Sequence, residues 1–166
     1  NFYSGDVKLL VDKYLRNYDP NHELSKIHAG LVPHAGWIFS GRIAAHVFHS
    51  IKELCNPDII IIFGTVHNTG YVTENSIYKE GAWETPIGEI EVDADLANEI
   101  LELLPDVLVD KPEFHDGEHS IEVQLPLIKY LFPNTKIVPI AVIPDSGAIE
   151  IGVAVADIVQ NSNKSI

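Results

Sequence analysis

Two histidines hold matched places along this chain. His34 sits in Pro33-His34-Ala35-Gly36-Trp37, two residues past a predicted strand over 26–32. His67 sits in Phe63-Gly64-Thr65-Val66-His67, four residues past a predicted strand over 58–63. Ligands of open α/β sheets bind in the crevice outside the carboxyl ends of the strands. If the two strands are neighbours, both imidazoles converge there, and imidazole suits Fe, Cu, Zn or Ni. Taken singly, each histidine reads more simply as a hydrogen-bonding residue at a strand end. The matched pair puts the metal reading on an equal footing.

His119 is the third candidate, in Phe114-His115-Asp116-Gly117-Glu118-His119-Ser120-Ile121-Glu122. Helical spacing over 118–132 would place His119 and Glu122 on one face, three residues apart. Such a pair could complete a ligand set, or orient and deprotonate a bound water. The plainer reading is an acidic helix start, since Asp116, Glu118 and Glu122 suit the positive end of the helix dipole. His115, among charged residues, reads as solvated. His46 and His49 fall on the polar face of a helix beside Ser50 and Glu53, and also read as solvated. Cys55 follows an apolar helix end and reads as a small buried hydrophobe. No nucleophile elbow, phosphate loop or dinucleotide fingerprint is present.

These residues need a scaffold, and the hydrophobic pattern predicts one. Helices are expected over 6–18, from Ser40 as N-cap to about 54, over 93–104, 118–132 and 146–160. Between them, 26–32, 58–63 and 136–142 read as strands, with 58–63 buried on both faces and a weaker strand at 107–109. Alternating helices and buried strands predict a three-layer α/β/α fold with a mostly parallel central sheet.

Composition narrows the function classes. The 24 Asp and Glu against 11 Lys and Arg give a net charge of -13, which argues against nucleic acid as a partner. No apolar run approaches the ~18 residues of a membrane span, and no secretory signal is visible. The single cysteine fits a reducing compartment, so a cytoplasmic location is expected.

Several segments resemble the Memo family, whose bacterial and archaeal members are called AmmeMemoRadiSam system protein B. Val32-Pro33-His34-Ala35-Gly36-Trp37-Ile38-Phe39-Ser40-Gly41 is similar to the family's Pro-His-Ala-Gly-Tyr motif with its following Ser-Gly. Gly64-Thr65-Val66-His67 resembles Gly-Pro-x-His, with Thr65 in place of Pro. Glu118-His119-Ser120-Ile121-Glu122-Val123-Gln124-Leu125-Pro126 resembles the family's most recognisable stretch. Trp83-Glu84-Thr85-Pro86-Ile87-Gly88 fits its Thr-Pro-Leu-Gly turn, and Asn1-Phe2-Tyr3-Ser4-Gly5-Asp6 the end of its start motif.

The resemblance spans nearly the whole chain and implies one Memo-like α/β domain over 1–166, C-terminally incomplete. The implied fold is phosphorylase/hydrolase-like or extradiol dioxygenase-like. It implies Fe(II) or Cu on His34 and His67, a third ligand from the C-terminal part, and a supporting acid–base role for His119 oriented by Glu122. On that view this stretch alone carries a half-built site that holds metal weakly and turns nothing over. Two function classes follow: a non-haem iron or copper redox enzyme acting on a small molecule, or a peptide-binding scaffold using the same crevice. A phosphopeptide would need a basic pocket, and Lys26, Arg42 and Lys79 are scattered in sequence. The missing part would also leave a surface prone to oligomerisation.

Overall fold

The two strongest strand signals pair with each other. In the computed structural model, which describes residues 3, 5–20 and 24–166, β1 (Ile59–Thr65) lies parallel to the strand Lys136–Val142 along its full length. In chain order the elements are α1 (Val7–Leu15), α2 (Trp37–Leu54), β1, β2 (Asn75–Ile77), β3 (Ala82–Trp83), β4 (Ile90–Glu91), α3 (Ala94–Leu103) and β5 (Leu108–Asp110). Two 3-10 turns follow, Pro112–His115 and Glu122–Gln124, then α4 (Leu125–Leu131), β6 (Lys136–Val142) and α5 (Ser146–Asn161). The central sheet has four strands in the order β1-β6-β2-β5, and β3 and β4 form a separate hairpin pair. β2 runs antiparallel to β6 but parallel to β5, so the sheet is mostly parallel.

The helices pack in two groups, α1 with α2 and α4, and α3 with α5. The core runs through β6, whose Ile137, Val138, Ile140 and Ala141 are fully buried, and is filled from the helices by Val11, Ala45, Leu127, Ile128 and Ile151. Each of the Val, Leu and Ile side chains among these contributes about 1.5–3 kcal/mol by leaving water, so β6 is the energetic centre of the sheet. Helix starts follow their caps: Asp6 accepts from the Leu9 amide and Asp93 from the Leu96 amide, both at 3.1 Å. Among the described residues, no helix is long and apolar enough to cross a membrane.

Several of the expected elements need correction. The 26–32 segment is not a strand: residues 24–36 carry no regular structure, and Leu31 is almost wholly exposed. Its apolar content is used instead against α2, where a Cβ on Gly30 would come within 2.8 Å of Val47. β-propensity needs an edge to pair with, and here packing on a helix overrides it. β1 is not buried on both faces, because it lies at the edge of the sheet with Phe63 46% exposed. Finally, 118–132 is helical only from Leu125; before that the chain makes the 3-10 turn Glu122–Gln124, and His119 precedes both. Helix α2 also begins a turn early, at Trp37 rather than after Ser40.

Candidate metal centre

Parallel pairing of β1 with β6 puts their carboxyl ends side by side, and Val66 extends the pairing by donating its amide to Val142 O at 2.9 Å. The next residue, His67, leaves the sheet at that rim. His34 reaches the same place from the irregular segment before α2, and His119 from the stretch between the two 3-10 turns. The ring centroids lie 5.0 Å apart for His34 and His67, 5.8 Å for His34 and His119, and 4.5 Å for His67 and His119. One nitrogen from each ring lies within 4.8 Å of the other two. The three histidines could therefore hold a metal ion together.

A few polar clamps fix this meeting of distant segments. Trp37 donates its indole N–H to Val123 O at 2.8 Å, and Gln124 donates its side-chain amide to Pro33 O at 2.9 Å. These two bonds tie the His34 segment to the 119–124 segment. Ser120 in turn donates its hydroxyl to Thr65 O at 3.0 Å, tying that segment to the end of β1. The last contact requires Gly64, since a Cβ there would collide with Ile121 and stand 2.5 Å from Ser120 Oγ.

The residue that sequence reasoning missed is Glu118. Its carboxylate, only 9% exposed, accepts the His67 amide at 2.8 Å, the His119 amide at 2.7 Å and the Ser120 amide at 2.9 Å. His67 Nδ1 lies 2.9 Å from Oε1 and 3.1 Å from Oε2. Burial alone would raise the Glu118 carboxyl, but the donors from His67, Ser120 and His119 outweigh it and hold it at about 2. Spacing could not reveal this, because Glu118 and His67 stand 51 residues apart.

The other singled-out residues lie elsewhere. Glu122 is not grouped with the three rings, and Tyr3 donates its hydroxyl to the Glu122 carboxylate at 3.4 Å. His115, expected in water, is buried between Tyr78 and Trp83 at ring distances of 5.7 Å. Burial pushes its imidazole down to about 4, against smaller opposing effects of the Ser76 backbone, Asp116 and Glu118. His46 and His49 are half-buried rather than solvated: Tyr18 stacks on His46 at 3.8 Å, and His49 approaches Glu53 at 3.7 Å. Cys55 is half-buried at the α2 C-terminus, its thiol directed at Ile51 O. Lys79 is taken by Asp110 at 2.8 Å.

The donor set fits a metal that accepts imidazole. Three imidazole nitrogens would leave a coordination position for a further ligand, and His67 is 43% exposed. That is the pattern of a centre able to take a further ligand rather than a closed structural site.

The chain as a whole is similar to known proteins. The family model described as Memo-like protein matches residues 2–166. A MEMO1 family protein of Thermococcus onnurineus is 38% identical over 169 residues, covering 100% of this chain and 55% of the relative. One from Pyrobaculum arsenaticum is 41% identical over 178 residues, covering 99% of this chain and 62% of the relative. One from Metallosphaera sedula is 44% identical over 113 residues, 68% of this chain and 39% of the relative. The chain thus spans roughly half the length of these relatives.

Proposed function

The chain belongs to the Memo family, and we propose that it is a metal-binding protein in which His34, His67 and His119 hold one redox-active transition metal, Fe(II) or Cu. The observation that carries this reading is the convergence of three imidazoles from segments far apart in sequence, with one nitrogen from each within 4.8 Å of the others. The segments that carry the three rings are also tied to one another, through Trp37, Gln124, Ser120 and Glu118. Bound there, such a metal would supply redox or Lewis-acid chemistry to a small molecule taking the further position. The protein's own part is to present three imidazole nitrogens and to hold the rim residues still. Where His34 and His67 alone ligate the metal, His119, 27% exposed, could instead exchange a proton with that molecule. Glu122 acts on this site at one remove, through Tyr3 and the Trp37 ring that Tyr3 packs against at 5.7 Å.

A peptide-binding scaffold is the second reading. One observation favours it: Ile38 and Phe39, both 84% exposed, stand in the first turn of α2 directly after the His34 segment. An apolar lip beside a polar crevice suits a peptide side chain as well as a small substrate.

Calorimetric titration with Zn(II), Cu(II) and Fe(II) separates these readings. The metal reading predicts binding of one ion per chain, and loss of at least tenfold in affinity in His34→Ala and in His67→Ala. Absence of saturable binding for all three ions would overturn it.

A further inference from the structure

The geometry points to Glu118 as the positioning residue of the site: its carboxylate fixes the proton of His67 on Nδ1 and so presents Nε2 to whatever the three histidines bind. This inference rests on the metal reading for its functional meaning, but its structural content stands on its own. A carboxylate that already accepts three backbone amides, from His67, His119 and Ser120, is an acceptor on both oxygens. His67 Nδ1 lies within 3.1 Å of both of those oxygens, so it can only be the donor of that contact. A neutral imidazole that donates from Nδ1 has its lone pair on Nε2. The same carboxylate holds the His67 backbone through the adjacent amide, so ring and main chain are fixed by one group. It also fixes the amides of His119 and Ser120, and thereby sets the spacing of two of the three ring-bearing segments. Outer partners of this kind orient metal-bound histidines and make them better bases.

Glutamine at this position is nearly isosteric but has one acceptor and one donor end. Whichever way it turns, its NH2 group faces a backbone N–H that the carboxylate accepted, either that of His67 or those of His119 and Ser120. Its oxygen can still accept from Nδ1–H, but its NH2 can equally donate to Nδ1, so the partner no longer dictates the tautomer of His67 and the Nε2–H form that neutral imidazole prefers in water becomes populated.

The test is long-range 15N–1H correlation NMR of the histidine rings in the metal-free chain, at alkaline pH where the rings are neutral. Absence of the signal in His67→Gln assigns His67. We expect a protonated Nδ1 and an unprotonated Nε2 in the natural sequence, and loss of that fixed form in Glu118→Gln, with Zn(II) affinity falling about 10–100-fold. A His67 ring protonated on Nε2 in the natural sequence would overturn the inference, and that spectrum decides even if Glu118→Gln does not fold. A tautomer unchanged by Glu118→Ala, which leaves no acceptor at that place, would overturn it as well. If the tautomer is fixed and then lost as expected, but the natural chain binds no Zn(II), the positioning role stands and the metal reading fails.

Discussion

His115 and Glu118 both titrate abnormally, and the two make separable contributions to acid sensitivity. His115 is held neutral, its folded value about 4 against an ordinary 6.5. Between those values the unfolded chain binds more protons than the folded one, so stability falls as pH drops from about 6.5 to about 4. Glu118, held at about 2 against an ordinary 4.5, adds a second loss as pH falls from about 4.5 toward 2. Urea unfolding at a series of pH values should show both windows, and His115→Gln should flatten the upper one while leaving the lower. A slope between pH 4 and 6.5 that persists in His115→Gln would show that another group carries it. At this scale the sequence was half legible. His34, His67 and His119 stand out by type and by the motifs around them. The role of Glu118 was hidden because an acidic residue near a predicted helix start has an adequate local explanation. His115 was misplaced because charged neighbours in sequence, Asp116 and Glu113, point away while Tyr78 and Trp83 close over the ring.

Among the elements, the site depends on how closely the end of β1 approaches the 118–124 stretch. Gly64→Ala would push a methyl into Ile121 and Ser120 Oγ and break the clamp from Ser120 to Thr65 O. A loss of about 1–3 kcal/mol in stability is expected from overpacking, together with weaker metal binding, because His67 moves with the strand end. Thermal unfolding and the same calorimetric titration check both parts, and an unchanged affinity would show that the rim tolerates the shift. Trp37→Phe removes the indole donor and leaves the buried Val123 carbonyl unpaired, at a cost of about 1–3 kcal/mol. The strands Ile59–Thr65 and Lys136–Val142 were legible because β-branched runs of that length have few other uses. The 26–32 segment was not, since its pattern records only that it packs somewhere, and Gly30 shows it packing on α2. The 118–124 stretch reads as helix by spacing, but its apolar residues Ile121 and Val123 are buried by 3-10 and irregular backbone instead.

For the molecule as a whole, the outer edge of β1 is a strand edge open to pairing. Asp58 O accepts from the Lys136 amide at 3.0 Å and the Val66 amide donates to Val142 O at 2.9 Å, so the even residues pair inward and Ile61, Phe63 and Thr65 turn their backbone groups to the outer edge. The run carries no charge, proline or bulge to discourage pairing, and Phe63 is half exposed on it. The 166-residue chain should therefore self-associate with rising concentration, and Phe63→Lys should shift sedimentation toward the monomer; equal behaviour of the two would place any contact elsewhere. The metal reading concerns a different part of the same rim and can be tested without reference to assembly. X-ray absorption of the Cu- or Zn-loaded chain reports the ligand shell directly. The account predicts three imidazole nitrogens at about 2.0–2.1 Å, and one fewer in each of His34→Ala, His67→Ala and His119→Ala. A shell of oxygen alone, or one that none of these three substitutions changes, would contradict it.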